Sequence, residues 1–258
     1  MPETPQDPAA GALTEVAGRL PAAADEGAAI EAGNAGSAEA PPSSAPAPGA
    51  APGATPGATP GATSSRKRPR PGERRVQILQ TLATMLEQPG AERITTAALA
   101  GRLQVSEAAL YRHFASKAQM FEGLIEFIES SVFALVNQIA ERDTSGAAQA
   151  HRIVSMLLQF GEKNPGMTRV MVGDALVFEH ERLTQRMNQF FDRVEAQLRQ
   201  CLRPAVDEAG STMPTVEAGA LASALTGLAV GRLQRYARSG FRRLPTEHLD
   251  FALSRLLR

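Results

Sequence analysis

The stretch from Ile94 to Phe121, ITTAALAGRLQVSEAALYRHFASKAQMF, most narrows what this chain can become. Three residues that favour helix N-caps, Thr95, Ser106 and Ser116, each stand just before a run of helix-forming residues. Thr95 predicts a helix over 96–103, in which Ala97, Ala98 and Ala100 are small enough for a second helix to cross closely. Gln104-Val105 makes the turn. Ser106 predicts a short helix over 107–113, with Glu107 in the first turn, where a negative charge suits the helix dipole. Leu110 and Phe114 are expected inside, and Glu107, Ala108, Tyr111 and Arg112 outside. Two short helices about a tight turn describe a helix-turn-helix, whose second helix fits the DNA major groove. The same arrangement also occurs in proteins that bind no DNA, so the pattern alone leaves both readings open.

The remaining elements predict an all-α chain. A first helix over 72–88 places Leu79, Leu82, Ala83 and Leu86 on one face, and Pro89-Gly90 stops it. From Lys117 to about Arg142, Phe121, Leu124, Ile125, Ile128, Val132 and Leu135 form a buried stripe. Phe127 falls off that stripe beside Glu126 and Glu129, as ordinary packing or as a partner contact. A fifth helix is expected over 147–164, ended by Asn164-Pro165-Gly166, and a short one over 167–176. A long amphipathic helix over 181–202 is expected to stop at Pro204. The eighth, over 216–239, carries Ala220, Ala224, Gly227 and Gly231 along one edge. That edge suits either a helix-to-helix dimer seam or a tight contact within one subunit. A last helix covers 246–257.

Net charge is zero over 258 residues, but unevenly placed. Residues 1–65 hold seven acidic residues and one basic residue, Arg19; the rest of the chain holds 26 basic against 20 acidic residues. Residues 1–65 are rich in Ala, Pro, Gly, Ser and Thr, with PGAA-PGAT-PGAT-PGAT over 48–63. With few large apolar groups to offset ordering entropy, this segment is expected to be a disordered tail, passive or competing for the DNA face. Residues 66–75, RKRPRPGERR, read as a basic arm along phosphates or as a solvated junction. Three regions follow: the tail over 1–65, arm and helix-turn-helix over 66–116, and a helical regulatory and dimerisation bundle over 117–258.

One cysteine, Cys201, excludes an internal disulfide and an all-cysteine metal site. The four histidines have no ligand spacing. No signal peptide and no apolar stretch long enough for a bilayer are read, which points to a cytoplasmic protein. Glu179-His180-Glu181 is an acid/base or metal candidate on paper. Adjacent helical residues point in different directions, so a solvated charged run is expected instead. No catalytic motif and no cofactor are expected.

Tyr111-Arg112-His113-Phe114-Ala115-Ser116-Lys117 resembles the signature of the TetR family of transcriptional regulators. That family usually carries Gly in the turn where Gln104 stands here, so Gln104 must take a left-handed or adjusted conformation. The resemblance implies a DNA-facing set of Thr95, Thr96, Ser106, Glu107, Ala108, Ala109, Tyr111, Arg112, His113 and Lys117. Of these, Thr95, Tyr111, His113 and Lys117 would position the phosphate backbone, and Ser106 to Ala109 would approach base edges. ERITTAALA, VSEAALYRHFASK, FEGLIEFIE, GEKNPGMTRVMVGDALVFEHERL and EAQLRQCLR resemble, more narrowly, the nucleoid occlusion factors, a TetR-type family. This likeness covers most of 73–203 and none of 1–65. It implies binding to specific double-stranded chromosomal sites as homodimers, with paired dimers on one site left open. It also implies antagonism of the cell-division protein FtsZ, with no membrane partner. The FtsZ tail is expected between the fourth and fifth helices, at Phe127, Lys163 and Asn164; Leu135, Met156 and Gln159 depart from the family there. The alternative is a ligand-responsive TetR-type repressor.

Overall fold

The computed structural model describes residues 71–88 and 93–257, and every regular element among them is helical. The reading of the 1–65 tail lies outside the described residues, as do 66–70 of the 66–75 basic arm; its remaining residues, 71–75, begin α1. The helices are α1 Pro71–Leu86, α2 Thr96–Leu103, α3 Glu107–Tyr111, α4 Lys117–Arg142, α5 Gly146–Lys163, α6 Pro165–Met171, α7 Glu181–Glu208, α8 Pro214–Arg238 and α9 Leu249–Leu256. A 3-10 turn, Asp174–Leu176, precedes α7.

The three expected caps are made. Thr95 accepts from the Ala98 amide at 3.1 Å, Ser106 from that of Ala109 at 3.3 Å, and Ser116 from that of Gln119 at 3.2 Å. Each satisfies one amide that the helix itself leaves without a partner. Gln104 sits at φ 56°, ψ 44°, in the left-handed region the turn requires. Leu79, Leu82, Leu86, Leu99, Leu110 and Phe114 close the core of the small module. Each such side chain contributes roughly 1.5–3 kcal/mol on burial.

The small module packs on the larger bundle at close range. The predicted stripe of α4 is buried throughout, and Gly123 lets the Leu79 side chain of α1 approach to 3.1 Å of where a Cβ would stand. At Gly166 a Cβ would meet the Ala83 carbonyl oxygen of α1 at 2.0 Å. Here backbone meets backbone, and only glycine fits. A third close approach, Gly146 against the Cys201 carbonyl, joins α5 to α7. Burial pushes the Cys201 thiol up to about 11, away from thiolate chemistry.

Several boundaries differ from expectation. α7 runs through Pro204 to Glu208, because the stripe Leu198, Leu202, Val206 stays buried. The carbonyl that Pro204 cannot serve belongs to Gln200, which faces water. The expected helix over 167–176 is split by Gly173 at φ 85° into α6 and the 3-10 turn. α9 starts only at Leu249, since His248 at φ 53° breaks the helical path. α3 ends at Tyr111 rather than His113. Two helices, α4 and α8, are long and apolar enough to cross a membrane by length and composition, contrary to the sequence expectation. In α4 the apolar residues are buried against other helices of this fold.

Candidate nucleic-acid interface and partner face

The helix-turn-helix presents the expected outer face. Ser106, Glu107, Ala108 and Arg112 are exposed, and Tyr111 is 46% exposed, while Leu110 and Phe114 anchor the inner side. Thr95 is exposed; Thr96, Ala109 and His113 are half-buried. The Thr96 hydroxyl donates to Glu107 Oε2 at 2.6 Å, so this pair fixes α2 against α3. Glu107 is therefore a strut as well as a face residue. Arg75 of α1 donates to the His113 carbonyl at 3.2 Å and lies 4.3 Å from the Phe114 ring centroid. Together these contacts hold the turn after α3 in one geometry.

Lys117 is not simply a solvent-facing cation. Its ammonium bonds Glu179 Oε1 at 2.5 Å, 62 residues away, with Lys117 29% and Glu179 9% exposed. Glu179 was expected in a solvated run; it is instead a part-buried ion-pair partner. His180 caps α7 by accepting from the Arg182 amide through Nδ1, and Glu181 accepts from Gln185. The Glu179-His180-Glu181 triplet thus does three separate jobs. Among the described residues no group of three or more acidic, histidine or cysteine side chains could hold a metal.

On the other face, the expected partner residues divide. Lys163 and Gln159 are exposed on α5, one turn apart. Phe127 is half-buried and packed on the core, which favours the packing alternative for much of its ring. Asn164 corrects the expectation of an amide available to a peptide. It is 3% exposed, and its Nδ2 donates to the Phe160 carbonyl at 2.8 Å. Its own carbonyl accepts from the Thr168 amide at 2.9 Å. Asn164 joins α5 to α6, because the chain must turn there before Pro165. Leu135 and Met156, which depart from the family, are core residues.

The edge of α8 resolves one alternative. A Cβ added at Gly219, Gly227 or Gly231 would meet nothing within 4 Å, and Ala220, Ala224 and Gly227 are exposed. The small-residue edge makes no tight contact within the subunit. The close approach inside the subunit lies elsewhere, where Leu233 of α8 reaches Gly161 of α5.

Sequence reading missed the ion pairs joining α4 to the start of α7. Besides Lys117–Glu179, Arg182 bonds Glu122 at 2.8 Å and Arg186 bonds Glu129 at 2.6 Å. The Glu129 bond holds the Arg186 guanidinium above its ordinary range. No local spacing signals pairs 57 to 62 residues apart.

Comparison with known proteins agrees with this architecture. Residues 78–124 match the model of bacterial regulatory proteins of the tetR family, and residues 145–258 that of a tetracyclin repressor-like, SlmA-like C-terminal domain. The nucleoid occlusion factor SlmA of Photobacterium profundum is 51% identical over 178 residues, 69% of this chain and 90% of that protein. That of Aliivibrio fischeri is 50% identical over 183 residues, covering 70% and 93%. Among solved structures, the TetR family regulator PfmR from Thermus thermophilus aligns with a TM-score of 0.56 at 20% identity, over 70% of this chain and 97% of that one. AibR in complex with isovaleryl coenzyme A and operator DNA aligns at 0.57 and 15% identity, over 72% and 98%. The structural likenesses carry the fold, and the sequence identity across both the helix-turn-helix and the larger bundle carries the narrower grouping: the chain belongs to the SlmA nucleoid occlusion factors of the TetR family.

Proposed function

We propose that this chain binds specific chromosomal sites as a homodimer and, on DNA, antagonises FtsZ polymers, so that septa do not form over the nucleoid. The observation that carries the reading is the half-identity to nucleoid occlusion factors across nine-tenths of their length. α3 enters the major groove, with Ser106 to Ala109 near base edges. Thr95, Thr96, Tyr111, Arg112, His113 and Lys117 hold phosphates. The outward small-residue edge of α8 supplies the seam between protomers. In a symmetric dimer the two α3 helices then lie about 34 Å apart and read a near-palindrome. The FtsZ tail takes the face between α4 and α5, where Phe127 offers a ring edge and Lys163 a charge for an acidic, apolar peptide. Asn164 supports this face by shaping the end of α5. The protein works in the cytoplasm, on the nucleoid, without a cofactor and without catalysis.

The test has two steps. Full-length protein first selects a duplex from random-sequence DNA. FtsZ polymers are then sedimented with the protein, with and without that duplex. Loss of polymer only when protein and duplex are both present is the expected result. Polymers intact in both arms would instead mark a ligand-responsive repressor. Lys163→Glu should keep duplex affinity and lose the FtsZ effect; parallel loss of both would remove Lys163 from the partner face.

A further inference from the structure

We propose that Glu179 is an intramolecular competitor for the DNA phosphate: it occupies Lys117 when the protein is off DNA and gives it up on binding. This rests on the reading above that Lys117 meets a phosphate.

Three rungs join α4 to α7 and the residues leading into it, and their polarity is not uniform. Glu122 and Glu129 of α4 face Arg182 and Arg186 of α7, so in two rungs α4 supplies the anion. In the first rung α4 supplies the cation, Lys117, and the other side supplies Glu179. Lys117 is the first residue of a 26-residue helix, the end where the dipole disfavours a positive charge. A ladder serving stability alone would place its acid there, as the other rungs do. The reversed rung holds an ammonium at the edge of the helix-turn-helix, with an anion seated on it.

A carboxylate and a phosphate oxygen are equivalent acceptors for an ammonium group. Lys117 retains enough exposure, 29%, for an outside oxygen to reach it, whereas Glu179 is 9% exposed. A phosphate arriving at Lys117 brings a second negative charge close to the Glu179 carboxylate. The two anions compete for one ammonium, so phosphate binding must first break the Lys117–Glu179 pair. The competitor is therefore a brake on DNA affinity, and its release acts on the segment that carries it. That segment also touches the small module through Phe178, whose ring lies 4.7 Å from the Arg93 guanidinium. It begins at Gly173, φ 85°, and ends at the His180 cap of α7. Binding at Lys117 is thus reported to the start of α7, and through the remaining rungs to α4 as far as Glu129.

The experiment uses the full chain and the duplex selected by the wild type. Glu179→Gln keeps the shape and removes the charge. It should tighten duplex binding about threefold to fivefold at low salt, a gain that shrinks as salt screens the pair. The same substitution in a Lys117→Ala background should give no gain, because nothing remains to compete for. Glu179→Asp, which withdraws the carboxylate by one methylene, should give a smaller gain and covers the case in which the Gln variant does not fold. In the wild type, amide exchange over 174–180 should quicken when the duplex is added. Unchanged or weaker affinity in the Gln variant, with a lowered melting temperature, would make the pair purely structural and overturn the proposal. A gain that persists without Lys117 would overturn it too. A Lys117→Ala variant of wild-type affinity would remove the phosphate contact itself. Failure of the wild type to enrich any duplex would instead defeat the DNA-binding reading, and this proposal with it.

Discussion

The helix-turn-helix and its junction with the larger bundle are held in opposite ways. In α2 and α3 the decisive bonds are local: Thr95 to Ala98, Ser106 to Ala109, and Thr96 to Glu107 across one turn. At the junction they are distant: Lys117, the first residue of α4, to Glu179, the Arg93 guanidinium on the Phe178 ring, and the Gly166 backbone on Ala83. Local bonds let a small reading head keep its shape with little help from elsewhere. Distant bonds tie that shape to the bundle, so a change at one is felt by the other. The proposed function, in which DNA occupancy controls a second surface, calls for both kinds.

Substitutions at the two kinds of contact sharpen this difference, measured by urea or thermal unfolding at fixed protein concentration. Gly166→Ala should have the largest effect. Its methyl would stand 2.0 Å from the Ala83 oxygen, so α6 and α1 must separate. A loss of about 3 kcal/mol, with weakened duplex affinity, is expected for overpacking of backbone against backbone. A stable variant would show that the junction gives way easily. Asn164→Ala should cost about 2 kcal/mol, since it leaves the buried end of α5 without the Nδ2 bond to Phe160. Loss of the FtsZ effect at unchanged stability would return Asn164 to direct peptide contact.

Thr95→Ala and Ser106→Ala should each cost about 1 kcal/mol, the usual worth of an N-cap. They should leave the 174–180 segment as protected from amide exchange as before, because their bonds are local. Spread of the effect to that segment would erase the difference between the regions. The smallest change is expected from Gln104→Gly. With φ at 56° the glutamine occupies a conformation that glycine adopts at no steric cost. A gain of about 0.5–1 kcal/mol should follow, offset in part by the greater freedom of glycine in the unfolded chain. A net loss would mean that the Gln104 side chain holds the turn.

Legibility followed the range of each contact. Thr95, Ser106 and Ser116 were readable as caps because a cap acts within three residues. A left-handed or adjusted Gln104 was expected only because the family the chain resembles usually carries Gly at that turn, and the left-handed form is the one it takes. The stripe of α4 was readable from its periodicity alone. Pro204 misled because propensity marked a stop, while burial of Val206 on the far side carried α7 onward. Asn164 differs in the other direction: the resemblance implied a place beside the FtsZ tail, and the packing of α6 on α5 puts its side chain inside.

The sequence by itself determined an all-helical chain, the place of the reading head, the outward set on α3 and the resemblance that names the family. These depend on periodicity, capping and residue order, which act over one or two helical turns. Only the tertiary structure decided that Lys117 rests on Glu179, that Gly166 seats the head on the bundle, that Asn164 is internal, and that the small edge of α8 faces out. Each of these is a meeting of segments distant along the chain, and such meetings are fixed by how whole helices pack, which no local spacing records.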